Sequence, residues 1–214
     1  MAGTRLHPIS RARLTTELAD RIEGLSPADG GVWPRIAVDG APATSPGQLA
    51  DALAEELMLR GRPVLRVRSR SFLRPASLRL EYGHQDADAY LDLWLDDNAL
   101  FREVFTPLDP GGTGRVLPDL RDPETDRATR SPYVELAPGT ALLMDGQFLL
   151  GRWFPFDLVV HLRMSEAALR RRTPQEEQWT LPAFVRYEEE VRPEEAAEVL
   201  VRSDDPAHLA WNQG

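Results

Sequence analysis

The chain has 214 residues, no cysteine and a formal charge of -9, with 34 acidic residues against 25 basic ones. That length suits one well-buried domain rather than two, and without cysteine there is no disulfide framework, thiolate zinc site or cysteine nucleophile. The acidic balance argues against general nucleic-acid binding, which calls for a net basic face, and no stretch approaches the roughly 18 apolar residues that suggest a membrane span.

Taken in chain order, residues 9–25 place Ile9, Leu14, Leu18, Ile22 and Leu25 near helical period, and Ser26-Pro27 with Gly30-Gly31 ends that helix. Residues 35–67 predict an apolar strand ending in Asp39-Gly40, a turn, an amphipathic helix and a second apolar strand. An irregular, arginine-rich stretch follows. Residues 86–108 then predict a helix built on Tyr90, Leu91, Leu93, Trp94, Leu100 and Val104. The breaker Asp109-Pro110-Gly111-Gly112 precedes two extended pieces, 115–120 and 131–136, which predict a hairpin around the polar run 121–130. Residues 141–146 and 157–164 are near-continuous apolar runs, the kind buried on both faces of a parallel sheet. A basic helix carrying Arg170, Arg171 and Arg172, a proline-bounded helix near 181–191 and a final strand at 199–202 complete the chain. Strands alternating with helices predict an α/β class: a doubly wound, mainly parallel sheet with helices on both faces and any ligand at the carboxyl edge. One domain is expected over 1–214, with 1–34 as N-terminal helix and lead-in, 35–60 as the first strand, loop and helix of the sheet, and 165–193 as a lid-like helical region. The four histidines, His7, His84, His161 and His208, lack ligand spacing, so no structural metal is expected. The N-terminus has no apolar signal core, which makes the cytoplasm the expected location.

Residues 35–67 also form the frame of a Walker A loop. The signature GxxxxGK[ST] supplies glycines so that backbone N–H groups curl round a phosphate, a lysine for the outer phosphates and a hydroxyl for magnesium. Here the run is Gly40, Ala41, Pro42, Ala43, Thr44, Ser45, Pro46, Gly47. Only the first glycine remains; Pro46 stands at the lysine position and Gly47 at the hydroxyl position. All the basic residues are arginine, so no lysine can reach in from elsewhere. With many alanines, prolines and aspartates, that usage hints at a high-GC genome. Ser45 is a suitable N-cap, Pro46 suits the first helical position, and Gln48 stands three residues after Ser45 as in a capping box. The helix is therefore expected to satisfy its own start and close the anion site.

In this order the segments IAVDG (36–40), SFLRP (71–75), the Tyr90-to-Asp97 helix start, LLMDGQFLL (142–150), an arginine-bearing lid helix, Arg186-Tyr187 and VLVRSDDP (199–206) resemble the uridine kinase and phosphoribulokinase family of P-loop kinases. The likeness is to its small actinobacterial uridine kinase-like members in particular and covers nearly the whole chain. It implies a nucleoside kinase-like three-layer sandwich and, in an active member, ATP with magnesium. Family members carry an acidic residue in a segment resembling DDFHRP, which accepts the proton of the substrate hydroxyl and helps to hold magnesium. Aligned on Phe72, Arg74 and Pro75, the acidic positions are Arg70 and Ser71 here. Lysine, metal-binding hydroxyl and base are thus absent together. Phosphoryl transfer rests on positioning and electrostatics, so their joint loss implies a loss of many powers of ten in rate.

The surrounding pocket survives in this alignment. Phe72, Arg74, Tyr82, Tyr90, Phe148 and the lid arginines Arg170, Arg171 and Arg172 fall in regions which, in similar kinases, hold the acceptor or clamp phosphates. Asp145 stands where the family has an acidic residue near the metal and is the one catalytic candidate. The plainer alternatives are a strand-to-loop turn for Asp145-Gly146, a solvated helix face for the lid arginines and core packing for the aromatics. Arg66, Arg68 and Arg70 alternate, so a strand extending that far would put them on one face, where they would either hold an anionic small molecule without magnesium or pair with acids at the sheet edge.

Three functional readings follow from these residues. The first is a non-catalytic binding or regulatory module with no cofactor, whose partner is a small anionic ligand or a protein, with no nucleic acid and no membrane. The second is a divergent nucleoside or small-molecule kinase that uses ATP and magnesium through an atypical loop. The third is another reaction in the inherited pocket, for which no nucleophile elbow, HExxH or GxGxxG is present. The loop's shape separates the first two: an open nest over 43–47 favours the kinase, a closed turn capped by Ser45 the module.

Overall fold

The computed structural model describes residues 6–212. In chain order its strands are β1 (His7–Ile9), β2 (Arg35–Gly40), β3 (Val64–Arg68), β4 (Arg115–Val116), β5 (Arg121–Asp122), β6 (Arg127–Ala128), β7 (Val134–Glu135), β8 (Ala141–Gly146), β9 (Leu158–Arg163), β10 (Val199–Arg202) and β11 (Leu209–Trp211). The α-helices are α1 (Arg11–Glu23), α2 (Pro46–Leu59), α3 (Ala76–Arg79), α4 (Ala87–Asp92), α5 (Asp97–Leu100), α6 (Glu166–Arg172), α7 (Leu181–Glu190) and α8 (Pro193–Ala196).

Seven strands form one sheet in the order β1-β11-β10-β9-β2-β8-β3. The pairs β10/β9, β9/β2, β2/β8 and β8/β3 are parallel. The strands with uninterrupted apolar runs occupy the middle, and all six residues of β2 are buried. Alternation splits their side chains between two cores. Ile36, Val38 and Leu143 pack with Leu18, Ile22, Leu49 and Leu53 of α1 and α2 on one face. Ala37, Leu142 and Met144 meet an aromatic-rich layer containing Phe105, Phe148 and Phe184 on the other. The expected mainly parallel, doubly wound sheet is therefore present, with one addition: β11 pairs antiparallel with β10, and β1 antiparallel with β11. Residues 199–202 are thus not the last strand. Both extra strands have three residues, too few to show a period.

The first helix starts where Ser10 Oγ accepts the Arg13 N–H at 3.3 Å. The hairpin expected from 115–120 and 131–136 is present as β4 paired with β7, and the polar run between them folds back as β5 paired with β6. The continuous helix expected over 86–108 is not formed. Leu95 bridges Leu73, the Arg74 N–H donates to the Trp94 carbonyl and the Asp96 N–H to the Phe72 carbonyl, which pulls 93–96 out of helical geometry. Asp96 then caps the next short helix by accepting the Ala99 N–H at 2.9 Å. Among the described residues no helix is long and apolar enough to cross a membrane.

Candidate functional site

The carboxyl ends of β2, β8 and β9 meet around the loop that follows Gly40 and the start of α2. That loop is a tight 3-10 turn over Pro42–Thr44. The Thr44 N–H donates to the Ala41 carbonyl at 2.8 Å, the Ser45 N–H to the Pro42 carbonyl at 2.9 Å, and Thr44 Oγ1 to the same Ala41 carbonyl at 2.7 Å. Pro42 and Pro46 have no N–H to offer. The turn is closed by its own backbone, and the expected Ser45 cap is absent: Ser45 sits at φ 59°, ψ 54° and makes no side-chain cap bond. Its carbonyl instead accepts the N–H groups of Gln48 and Leu49. A left-handed serine directly before a proline is a strained position, set by the 3-10 turn that precedes it. Gly40 is required by close approach, because a Cβ there would lie 2.6 Å from Thr44 Oγ1 and 3.0 Å from both Cβ and the carbonyl oxygen of Leu162.

Asp145, next to last in β8, lies against Gly47 at the start of α2 and is buried. Its Oδ1 accepts from the Arg66 guanidinium at 2.5 Å. The same guanidinium reaches Asp51 on α2 at 3.1 Å and the Leu143 carbonyl at 2.8 Å. Asp145 Oδ2 lies 3.1 Å from where a Cβ on Gly47 would stand, leaving little room for a serine or threonine. The expected stripe of Arg66, Arg68 and Arg70 does not form, because β3 ends at Arg68 and the chain turns into a 3-10 segment over Ser69–Phe72. Arg68 pairs with Asp51 at 3.3 Å, while Arg70 is exposed and leans 3.7 Å from Glu124.

The other residues singled out in the sequence are dispersed. Phe72 is fully buried in the core and Tyr82 is exposed. The Arg74 guanidinium reaches the Leu93 carbonyl at 3.5 Å, holding the segment beside α4. Arg170, Arg171 and Arg172 are exposed on α6, with Arg170 3.6 Å from Glu166. Tyr90 and Phe148 are brought together, their ring centroids 5.5 Å apart, in an aromatic cluster with Trp94, Trp179 and Phe184. Burial pushes the Tyr90 phenol up to about 12 against a lowering hydrogen bond from the Gln147 amide.

A polar knot that the sequence reading passed over lies on the β9 side of the loop. Asp39 and His161 are register partners across β2 and β9. His161 Nδ1 is 2.7 Å from Asp39 Oδ2, the Tyr187 hydroxyl donates to the same oxygen at 3.1 Å, and the Leu149 N–H donates to Oδ1 at 2.9 Å. The Tyr187 hydroxyl accepts in turn from the Leu150 N–H at 3.1 Å. Burial by itself would lower the histidine pKa, but the bond to Asp39 and the nearby Glu188 outweigh it and push it up to about 9. Burial and the Asp39 charge hold the Tyr187 phenol well above its usual value. A cavity of about 270 Å³ opens beside this knot, with Phe148, His161, Leu169, Phe184, Val185 and Glu188 in its wall. The available signal was a lone polar residue inside each apolar run, Asp39 in β2 and His161 in β9.

No family model and no curated protein matches the sequence. Among solved structures, a possible uridine kinase from Bacillus stearothermophilus superposes with a TM-score of 0.71 at 20% identity, covering 88% of this chain and 97% of that one. A candidate fructose transport system kinase from Silicibacter sp. TM1040 superposes with a TM-score of 0.61 at 22% identity, covering 88% and 95%. With its parallel sheet, the loop after β2 and these two neighbours, the chain has the uridine kinase-like fold of the P-loop kinases.

Proposed function

We propose that this chain is a non-catalytic binding or regulatory module that keeps the P-loop kinase fold without ATP-dependent phosphoryl transfer. The observation that carries the reading is the Arg66 guanidinium seated on Asp145, Asp51 and the Leu143 carbonyl at the edge where magnesium and phosphate would be handled. The residues at the loop do not fit a magnesium-bound triphosphate. Two loop N–H groups are spent inside the 3-10 turn, two positions are proline, the lysine is missing, and Gly47 supplies no hydroxyl, with a Cβ there standing 3.1 Å from Asp145 Oδ2. The base position is Arg70, which is exposed and leans toward Glu124.

The partner on this reading is a protein or a small molecule. An anion at the arginines is disfavoured because Arg66 and Arg68 are already engaged by carboxylates. The second reading, a divergent small-molecule kinase, draws support from the two fold neighbours, a possible uridine kinase and a candidate fructose transport system kinase.

Isothermal titration of the purified chain with ATP, with and without magnesium, separates the readings. The expected result is no heat in either condition. Pro46→Lys is expected not to restore binding, since Arg66 still holds Asp145. Magnesium-dependent micromolar binding by the wild type, followed by turnover of a nucleoside or sugar, would overturn the proposal in favour of the kinase.

A further inference from the structure

We propose that Trp153 is a docking anchor for an arginine-rich segment of a protein partner, its indole taking a guanidinium by cation–π contact and the acidic stretch 187–198 beside it taking the rest of the segment's charge. Trp153 belongs neither to the loop after β2 nor to the cavity wall, so the inference stands apart from the non-catalytic reading.

The anchor is an exposed side chain on a fixed mount. Trp153 is 92% exposed, and its backbone sits at φ 62°, a left-handed conformation that is strained for so bulky a residue. Neighbours on both sides hold it there. The Arg152 guanidinium bonds Asp97 at 2.9 Å, the Phe148 carbonyl at 2.7 Å and the Leu91 carbonyl. Phe154 is buried, stacked on Phe105 with ring centroids 5.0 Å apart and set against Phe101 at 5.3 Å. Between these two clamps the chain turns outward, and the indole buries almost nothing in return. Glycine would take this backbone without strain. The tryptophan therefore lowers stability, and its contribution lies outside the folded chain. A large aromatic held in place before binding has the properties of an interface hot spot.

Charge selects the partner. Gly151 lies against Val191, where a Cβ on the glycine would stand 2.9 Å from a valine methyl, and the Leu150 N–H donates to the Tyr187 hydroxyl at 3.1 Å. The loop therefore abuts residues 187–198, which carry six glutamates and one arginine. That arginine, Arg192, pairs with Glu195 at 3.3 Å, and Arg186 just upstream is shared by Glu190, Asp88 and Asp92. Arg152 is already engaged by Asp97, so the cations on this flank are outnumbered. An anionic lipid surface is repelled by such a flank, as is a second copy of a chain with a net charge of -9. A basic segment is attracted. Arginine suits the indole better than lysine, because its planar guanidinium stacks on an aromatic face.

The test titrates the full chain with nona-arginine, nona-lysine and nona-glutamate peptides at low and at physiological salt. Nona-arginine is expected to bind saturably and to weaken as salt rises, nona-lysine to bind less tightly and nona-glutamate not at all. Trp153→Gly keeps every charge; it should raise the urea midpoint and weaken nona-arginine about tenfold. Charged quenchers read the local field separately. The Trp153 emission, taken as wild type minus Trp153→Gly, is expected to show a higher ratio of caesium to iodide quenching than free N-acetyltryptophanamide. No binding of nona-arginine, equal binding of nona-lysine, or nona-arginine binding unchanged in Trp153→Gly would overturn the inference, the last leaving only general attraction to an acidic protein. A quenching ratio at or below that of the free indole would also overturn it. Dimers that dissociate in Trp153→Gly would reassign the surface to a second copy, and Trp153-dependent binding to phosphatidylserine vesicles would reassign it to a membrane.

Discussion

Arg35 enters the interior at the amino end of β2 and is among the largest fully buried side chains of the fold. Its guanidinium bonds Asp157 at 3.1 Å and Asp29 at 2.7 Å, and its own N–H bonds Asp157 at 2.8 Å. Removing one partner of such a pair leaves a buried charge without compensation. Arg35→Ala is expected to destabilise the protein by about 3–5 kcal/mol in urea unfolding, and the double replacement Arg35→Met with Asp157→Leu should recover most of that loss. Single residues were the least legible scale. Missing chemistry could be read directly, because Pro46 cannot donate and Gly47 has no hydroxyl whatever the fold. What replaced it could not be read, because Arg66 meets Asp145 and Asp51 only once β3, β8 and α2 are packed. Asp39 and His161 are 122 positions apart and become neighbours through strand register alone.

At the scale of elements, the turn after β2 depends on contact between backbones. The Cβ of a Gly40→Ala variant would meet Thr44 Oγ1 and the Leu162 carbonyl, and the second of these is backbone that cannot swing away. The expected cost is about 1–3 kcal/mol of stability, read from the denaturant midpoint, and adding Thr44→Ala should relieve only part of it. The strands β2, β8 and β9 were legible because burial on both faces leaves a continuous apolar run that needs no partner to be recognised. The helix over 86–108 was misread for a complementary reason. Its apolar period is genuine, but the SFLRP segment needs backbone partners and takes them from 94–96, a tertiary demand that overrides local period. The Ser45 cap failed similarly: the residue type suits a cap, but the preceding 3-10 turn sets a left-handed backbone that turns the side chain away from that task.

Across the whole molecule the buried knot couples stability to pH. The groups facing His161 are Asp39 from β2 and Tyr187 and Glu188 from α7. Its folded pKa of about 9 lies above the ordinary 6.5, so its contribution is fully present below 6.5 and is lost as pH rises through 9. Urea midpoints of the wild type are expected to fall across that alkaline window, and those of His161→Gln to stay flatter there. The mainly parallel character of the sheet was legible from the resemblance and the alternation of strands and helices, whereas its strand order comes from the structure and the antiparallel edge of β1 and β11 was too short to leave a pattern. Arg66 carries the remaining consequence. A counter-ion belonging to the polypeptide is present at unit stoichiometry, cannot be chelated or diluted away, and brings no labile water into its coordination. On the non-catalytic reading proposed above, the electrostatic state of this sheet edge is written into the covalent chain and does not follow the divalent-ion content of the medium.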